Sequence, residues 1–178
     1  MPMKYVVGNR ADGKSDVLTQ TDITTLPEYA PGAPGMDLWL NTETPADLSG
    51  TEDPVAGKSM THEPPDGGAV FRIVHLMPNT TSRKAPEDWL DSHARLKSVH
   101  VPTLEELQAA KHPSMHKTDT LNYFVAVAGE CWMLTEGEDV LLKPGDVIIQ
   151  KGCMHGWRND SDKPFVLVAV LIDSHPAS

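Results

Sequence analysis

The stretch 115–159 constrains the fold most, because it alternates short apolar runs with turn signals. Four runs fit β-strands: 121–127, Cys131–Thr135, Val140–Leu142 and 147–150. Pro144-Gly145-Asp146 predicts a turn, since Pro presets φ and Gly accepts a positive φ. Short apolar runs bounded by Gly, Pro and Asp are typical of a β-sandwich or barrel. We therefore predict an all-β fold built around this stretch.

Part of this stretch resembles the second sequence motif of the cupin superfamily, in which Gly-Asp is followed by G-x-x-H-x-x-x-N. The chain carries Gly145-Asp146, and then Gly152, His155 and Asn159 at that spacing. The N-terminal segment ADGKSDVL, with the Gly/Pro turn, LW and T-P-A-D that follow, is similar to the opening of small single-domain cupins. The resemblance implies a double-stranded β-helix, or jelly-roll, barrel.

The first cupin motif, roughly H-x-H, then E, then G, is matched with two departures. His116 and Gly129 stand at their positions, whereas Thr118 replaces the second histidine and Asn122 replaces the glutamate. In the family, three histidines and the glutamate hold a divalent metal. The resemblance therefore implies Zn, Fe, Ni or Mn at His116 and His155, with the uncharged Asn122 carbonyl as a weak ligand.

Two other interpretations of His116 and His155 stay open. The two imidazoles could bind a substrate or act as acid and base in a metal-free pocket, or they could be satisfied core histidines. If a metal binds, a third ligand is needed. The further candidates are His75, Cys153, a water, and His112 if Pro113 turns the chain.

Strand alternation predicts which side chains line the barrel cavity. An inward His155 carries Cys153 and Trp157 with it, and an inward Asn122 carries Phe124. His75 joins this set if its strand face is the inner one, and Tyr123 joins it if the parity shifts by one residue. The predicted lining residues are Thr118, Phe124, Cys153, Trp157, His75 and Tyr123. Arg72 and Arg158 are expected on the opposite faces, in salt bridges or an interface.

The rest of the chain supplies further strands and one interruption. Strand candidates are 4–7, 16–18, 36–40, 69–77 and the apolar run in 163–173, whereas 43–68 is predicted to be loop. We divide the chain into N-terminal strands and loops that pack on the barrel, 1–68, and the cupin barrel, 69–178. Asn159 is expected to fix a turn through side-chain bonds to the backbone.

Two helices are predicted between the first barrel strand and His116, as a short α-helical insertion around 85–111. Segment 85–96 has acids in its first turn and basic residues at its end, and 101–111 opens with the capping box of Thr103 and Glu106. Within the barrel domain the insertion spans 82–111. It could cover the barrel mouth, build a dimer contact, or decorate the surface without a role in the pocket.

Net charge and composition limit the classes of molecule that the protein is expected to bind. Fifteen basic against 25 acidic residues give a formal charge of −10, which argues against nucleic acid and anionic membranes as main partners. No run reaches the length of a membrane span, and the N-terminus lacks a signal-peptide apolar core. Two cysteines favour a reducing compartment, so we expect a cytoplasmic protein.

A cavity with two histidines, a neutral Asn and a Thr suits non-redox chemistry on a small molecule. We therefore favour a decarboxylase, dehydratase or isomerase acting on a small organic acid of aromatic or polyketide-like type. A non-catalytic binding or sensing module is the first alternative, and a metal-dependent dioxygenase is the second. The resemblance to small cupins also implies a homodimer.

Overall fold

The computed structural model of the chain describes residues 2–79 and 85–176. Eleven strands and two helices occur in these ranges. The N-terminal strands are β1 (Met3–Asn9), β2 (Ser15–Asp22), β3 (Glu28–Ala30), β4 (Ala33–Asn41) and β5 (Ala69–Leu76). The helices α1 (Pro86–Arg95) and α2 (Leu104–Ala109) follow. The remaining strands are β6 (Thr120–Ala128), β7 (Cys131–Thr135), β8 (Val140–Leu142), β9 (Val147–Lys151), β10 (His155–Arg158) and β11 (Phe165–Asp173).

Two antiparallel sheets form the barrel. The larger has the order β3-β4-β5-β11-β6-β9, and the smaller has the order β10-β7-β8. The crossovers between sequence-distant neighbours, β5 with β11 and β10 with β7, are those of a jelly roll. The prediction of an all-β, cupin-type double-stranded β-helix with a short helical insertion is confirmed.

The core lies between the two sheets. Strand β11 pairs with β5 on one side and β6 on the other, and its alternate residues are buried. The core cluster consists of Phe124, Ala126, Cys131, Met133, Leu142, Phe165, Leu167, Ala169 and Leu171. Although β11 is apolar on both faces, its outward residues are only half-buried, because no second layer covers that side in the described chain.

Most predicted strands are confirmed, with ends within a few residues of those expected. The short strands β3 and β10 were not predicted. Segment 43–68 holds no strand or helix, as expected for a loop. Gly145 has φ of 96°, which fits the predicted Pro-Gly turn. Asn159 fixes a turn as predicted, since its amide donates to the carbonyls of Leu76 and Lys163, each at 2.8 Å.

The N-terminal hairpin of β1 and β2 forms a sheet of its own. Its side chains Tyr5, Val7 and Val17 are more than half exposed, at 56%, 66% and 51%. An ion pair between Lys4 and Asp53 joins the hairpin to the 43–68 loop. No helix in the described ranges has the length and hydropathy to cross a membrane.

Both predicted helices are confirmed, although residues 82–84 of the predicted insertion, together with Met1 and the tail residues 177–178, lie outside the described residues. Helix α1 has Pro86 in its first turn, and its Asp88 carboxylate accepts from the amide of Ala85 at 3.0 Å. In α2, Thr103 accepts from the amide of Glu106 at 3.2 Å, and the Glu106 carboxylate accepts from the amide of Thr103 at 2.7 Å. This is the predicted capping box.

Helix α1 ends in a Schellman motif. The amide of Ser98 donates to the His93 carbonyl at 3.0 Å, and the amide of Lys97 donates to the Ala94 carbonyl at 3.2 Å. This motif requires a left-handed backbone conformation at the residue after the helix cap. Lys97 adopts it, with φ of 54°. A side chain other than glycine is strained there.

Replacing the exposed Lys97 with glycine should therefore stabilise the fold by about 1 kcal/mol, because Gly adopts the left-handed conformation without the Cβ clash. Urea unfolding of Lys97→Gly measures this. Ala94→Gly is the matched control, because an exposed residue in the last helical turn should lose about 1 kcal/mol on the same change. Equal destabilisation by both variants would contradict the Schellman assignment.

Candidate functional site

A cavity of about 750 Å³ opens inside the barrel. Strands β5, β6 and β11 form its apolar floor, with Val74, Phe124 and Leu167 among the lining residues. Helix α1 contributes a second wall with Trp89, Ser92, His93 and Leu96. The helical insertion therefore borders the cavity. Of the three roles considered for it, this position corresponds to covering the barrel mouth.

Histidines cluster in this cavity. The ring centres of His116 and His155 are 4.3 Å apart, and those of His62 and His116 are 4.8 Å apart. His93 lies 5.2 Å from His62 and 6.2 Å from His116, measured between ring centres. Four imidazoles thus face one another across one pocket, two from the predicted motif positions and two that the sequence interpretation missed.

His116 and His155 are placed by the backbone. They form an isolated antiparallel bridge, in which the amide of each donates to the carbonyl of the other, at 2.8 and 2.9 Å. Nδ1 of His116 lies 2.7 Å from the Ser114 carbonyl, and Nδ1 of His155 lies 3.0 Å from the Cys153 carbonyl. A carbonyl can only accept, so Nδ1 of His116 carries the proton and this ring presents an unprotonated Nε2. Nδ1 of His155 lies between the Cys153 carbonyl, an acceptor, and Nε2 of Gln150, a donor at 3.2 Å, so its contacts do not fix one tautomer.

An amide pair stands beside His155. Gln150 donates from Nε2 to the Cys153 carbonyl at 3.1 Å, which fixes the orientation of its amide group. Gln150 Oε1 must then accept from Nδ2 of Asn122. The carbonyl oxygen of Asn122 is left buried without a hydrogen-bond partner among the described residues. A ligand that donates a hydrogen bond would satisfy it.

His62 comes from the predicted loop and is held by Arg72. The Arg72 guanidinium pairs with Asp37 at 3.0 Å and donates to the carbonyls of Thr61 at 2.7 Å and His62 at 3.4 Å. The amide of His62 donates to the Leu96 carbonyl at the end of α1, at 2.9 Å. A loop histidine held by such distant contacts leaves no periodic signal in the sequence.

Ser98 links His62 to His93. Its Oγ lies 2.7 Å from Nδ1 of His62 and 3.0 Å from Nδ1 of His93. All three side chains are buried. The position of Ser98 follows from the Schellman motif, which folds the chain back beside His93. His93 shares a helix face with Trp89, and that shared face was the one sequence signal for its inward direction.

Burial lowers the pKa of every imidazole in the cluster. Desolvation is the largest cause at each, and it lowers the pKa of His155 to about 3 and that of His93 to about 4. The pKa of His62 falls well below its ordinary value by burial and by the neighbouring His116, and burial also lowers the pKa of His116. The four rings are therefore neutral near pH 7.

Several predicted lining residues do line the cavity. Thr118, Asn122, Phe124 and Trp157 are among them, and so is His112. The hydroxyl of Thr118 bonds that of Thr120 at 2.7 Å. The rings of Phe124 and Trp157 meet edge to face, with centres 5.6 Å apart.

The other three predicted lining residues lie outside the cavity. Cys153 is exposed, because strand β10 begins only at His155 and the alternation does not extend back to residue 153. Tyr123 is 41% exposed on the outer face of β6. His75 also faces outward, because the inner face of β5 carries Arg72, Val74 and Leu76. Arg72 and Arg158, expected on the opposite faces, border the cavity while keeping their ion pairs with Asp37 and Asp160.

Whether the site can hold a divalent metal depends on its donor set. Within residues 2–79 and 85–176, no three His, Cys, Asp or Glu side chains are arranged to hold a metal ion. The two motif histidines and the Asn122 carbonyl are a smaller set without negative charge, whereas metal sites use three or four protein ligands. The residues present do not fit the metal in this geometry.

Comparison with known proteins gives matches along nearly the whole chain. "Phomopsin biosynthesis cluster protein C'" of Diaporthe leptostromiformis is 28% identical over 98% of this chain and 80% of the relative. "Cupin-domain-containing oxidoreductase srdB" of Neurospora crassa is 25% identical over 98% of this chain and 75% of the relative. A crystal structure of a Cupin 2 conserved barrel domain protein from Salinispora arenicola is 14% identical, with a TM-score of 0.45 over 85% of this chain and 84% of that one. No family model matches the chain.

The neutral histidines predict a pH-dependent stability. From an ordinary pKa of 6.5, burial lowers the pKa of His155 to about 3, so the unfolded chain binds a proton below pH 6.5 that the folded chain refuses. The free energy of unfolding should be full above pH 6.5 and fall as the pH drops toward 3. One such group contributes at most about 1.4 kcal/mol per pH unit.

Urea unfolding at pH 7, 6, 5 and 4 measures this slope. We expect a shallower slope for His155→Gln than for the unsubstituted chain. His175→Gln removes an exposed histidine near the chain end and serves as the control. Parallel slopes for His155→Gln and His175→Gln would contradict a neutral, desolvated His155.

Proposed function

Because the chain belongs to the cupin superfamily, we propose that it is an enzyme acting on a small organic molecule in the barrel cavity, by non-redox acid–base chemistry. The reaction classes are decarboxylation, dehydration or isomerisation. The relative from a phomopsin biosynthesis cluster supports a role in the synthesis of a small metabolite.

One observation carries this proposal. Nδ1 of His116 donates to the Ser114 carbonyl, so this ring offers an unprotonated Nε2 to the cavity, where the ring centre of His155 lies 4.3 Å from its own. An imidazole oriented by a bond at one nitrogen is suited to take a proton at the other. Burial keeps both rings neutral near pH 7, so His116 can take a proton at Nε2 with His155 as its partner in the proton transfer.

The remaining residues position the substrate. The free carbonyl oxygen of Asn122 accepts a hydroxyl or N–H group, and the amide contact with Gln150 prevents its rotation. Phe124 and Trp157 offer aromatic edges and faces for a planar, aromatic or polyketide-like molecule. The apolar floor excludes water, which strengthens hydrogen bonds made inside the cavity.

Replacing His155 with Gln should lower turnover about 100-fold or more, because general acid–base catalysis of this kind contributes that much. His75→Gln is the matched control, since His75 lies outside the cavity, and it should keep full activity. Turnover of a panel of hydroxy, keto and carboxylic aromatic compounds is followed by mass spectrometry, with circular dichroism to verify folding. Undiminished activity in His155→Gln would exclude this assignment.

A non-catalytic binding module would behave differently in the same assay. Compounds would then bind, with weaker affinity in His155→Gln, and no product would form with any variant.

A second candidate is an oxidoreductase that carries Zn, Fe, Ni or Mn, and the Neurospora crassa relative, which is named a cupin-domain-containing oxidoreductase, favours it. Elemental analysis of protein made without a histidine tag distinguishes the two. About one metal per chain, lost in His155→Ala, would support the oxidoreductase.

We also propose that the protein forms a homodimer through the outer face of the large sheet. The register aligns Phe71, Val170, Tyr123 and Ile149 in one rung across four strands, and Ile73, Val168, Val125 and Val147 in the next. Val147 is 65% exposed and Ile149 is 57% exposed. An apolar face of this extent is typical of an interface. The exposed apolar residues of the β1–β2 hairpin give a second copy a matching surface.

The double variant Val147→Lys/Ile149→Lys should therefore shift the mass measured by light scattering from twice the chain mass to 19.4 kDa. The two lysines of each chain, four in the symmetric interface, would be desolvated and unpaired. The control Val99→Lys introduces one lysine elsewhere, at a residue that is 68% exposed, and it should leave the dimer intact. A monomeric unsubstituted chain would end the homodimer proposal.

A further inference from the structure

We propose that His62, Ser98 and His93 form a proton relay behind the cavity wall, which makes the two rings a matched proton donor and acceptor for a substrate that isomerises. This inference rests on the proposed non-redox function and names its reaction as a proton shift between two atoms of one molecule. It also gives roles to two histidines outside the cupin motif positions.

The geometry is that of a bridged pair. Ser98 Oγ is within hydrogen-bond distance of both Nδ1 atoms, at 2.7 Å for His62 and 3.0 Å for His93. The two ring centres are 5.2 Å apart, a separation that one small molecule can span. Both rings line the cavity, whereas Ser98 does not.

The number of hydrogens fixes the tautomers. A hydroxyl has one hydrogen, so Ser98 can donate to only one of the two Nδ1 atoms. The other Nδ1 must carry its own proton and donate it to the Ser98 oxygen. The two neutral rings are therefore opposite tautomers. Seen from the cavity, one offers an unprotonated Nε2 and the other offers Nε2–H.

The surrounding contacts hold both rings with their Nε2 edges toward the cavity. Arg72 and the Leu96 carbonyl fix the backbone of His62, and the Schellman motif fixes Ser98 beside His93. Since Nδ1 of each ring points to Ser98, behind the wall, the opposite edge with Nε2 is the one available to the cavity.

A balanced proton shift follows from this arrangement. With His62 as acceptor, its Nε2 takes a proton from a substrate carbon beside a carbonyl, and the C–H electron pair becomes a C=C bond. His62 Nδ1 passes its proton to Ser98 Oγ, and the Ser98 hydroxyl proton passes to His93 Nδ1. His93 Nε2 then gives its proton to the carbonyl oxygen, which becomes the enol hydroxyl. No atom or charge is gained, and the two rings have exchanged tautomers.

The relay suits the environment of these rings. Burial disfavours a charged imidazolium at either histidine, and in the relay neither ring has to hold one. The ligand class is a ketone with an enolisable carbon beside it. Arg72 already binds Asp37 and two backbone carbonyls, so it is engaged away from a substrate carboxylate.

Nuclear magnetic resonance of protein labelled with 15N at histidine tests the tautomers without any substrate. At pH 7 we expect His62 and His93 to give opposite tautomers, or averaged shifts that sum to one Nδ1 proton and one Nε2 proton. Signals are assigned with His62→Gln and His93→Gln. In Ser98→Ala the complementarity should be lost, and in Ser98→Thr, which keeps the hydroxyl, it should be retained.

The same tautomer at both rings of the unsubstituted protein, or an imidazolium at either ring, would overturn the relay. Unchanged ring signals in a folded Ser98→Ala would overturn it too. The unsubstituted spectrum decides the question even if a variant fails to fold. If opposite tautomers are seen but no ketone is ever isomerised, the proposed function fails while the bridged pair stands. Isomerisation with equal tautomers leaves the function and removes the relay.

Discussion

The C-terminal end of helix α1 is the constraint on which the site depends. Its last turn leaves backbone carbonyls without helical partners, and these must be satisfied because the helix end lies against the barrel. The Leu96 carbonyl accepts from His62, and the His93 carbonyl accepts from Ser98. Satisfying the helix end thus brings a loop histidine and a serine to the side of a helix histidine. This arrangement tolerates backbone strain at Lys97, which adopts the left-handed conformation.

Neutral histidines follow from the same burial that builds the cavity. Moving an imidazolium out of water is unfavourable, and the apolar floor of β6 and β11 offers no anion to offset it. The charged Arg72 is tolerated in the wall because Asp37 pairs with it and two backbone carbonyls accept hydrogen bonds from its guanidinium. The cavity can therefore hold several titratable groups in surroundings of low polarity. Acid–base chemistry between neutral partners requires such surroundings.

The strands were predictable because their signals are local. Turn residues and apolar runs locate β6 to β9 almost to the residue, and the capping box locates α2. Which residues of each strand face the cavity was harder to predict, since this requires one residue of the same strand whose inward direction is known. Cys153 lies before the start of β10, and nothing in the β5 sequence tells whether Arg72 or His75 faces inward. His62 was beyond reach, because its place depends on contacts with Arg72 and Leu96, which are far away in sequence.

The departures from the cupin motif and the two additional histidines have one physical explanation. With Thr118 and Asn122 in place of a histidine and a glutamate, the site lost an imidazole and its only negative charge. An uncharged site attracts a divalent cation less strongly, and the neutral imidazoles of His62 and His93 lie beside it without charge repulsion. The Asn122 carbonyl, fixed by Gln150, then becomes a hydrogen-bond acceptor where the family has a ligand. The proposed pair of opposite tautomers at His62 and His93 would complement a molecule that can both give and take a proton, such as an enolisable ketone.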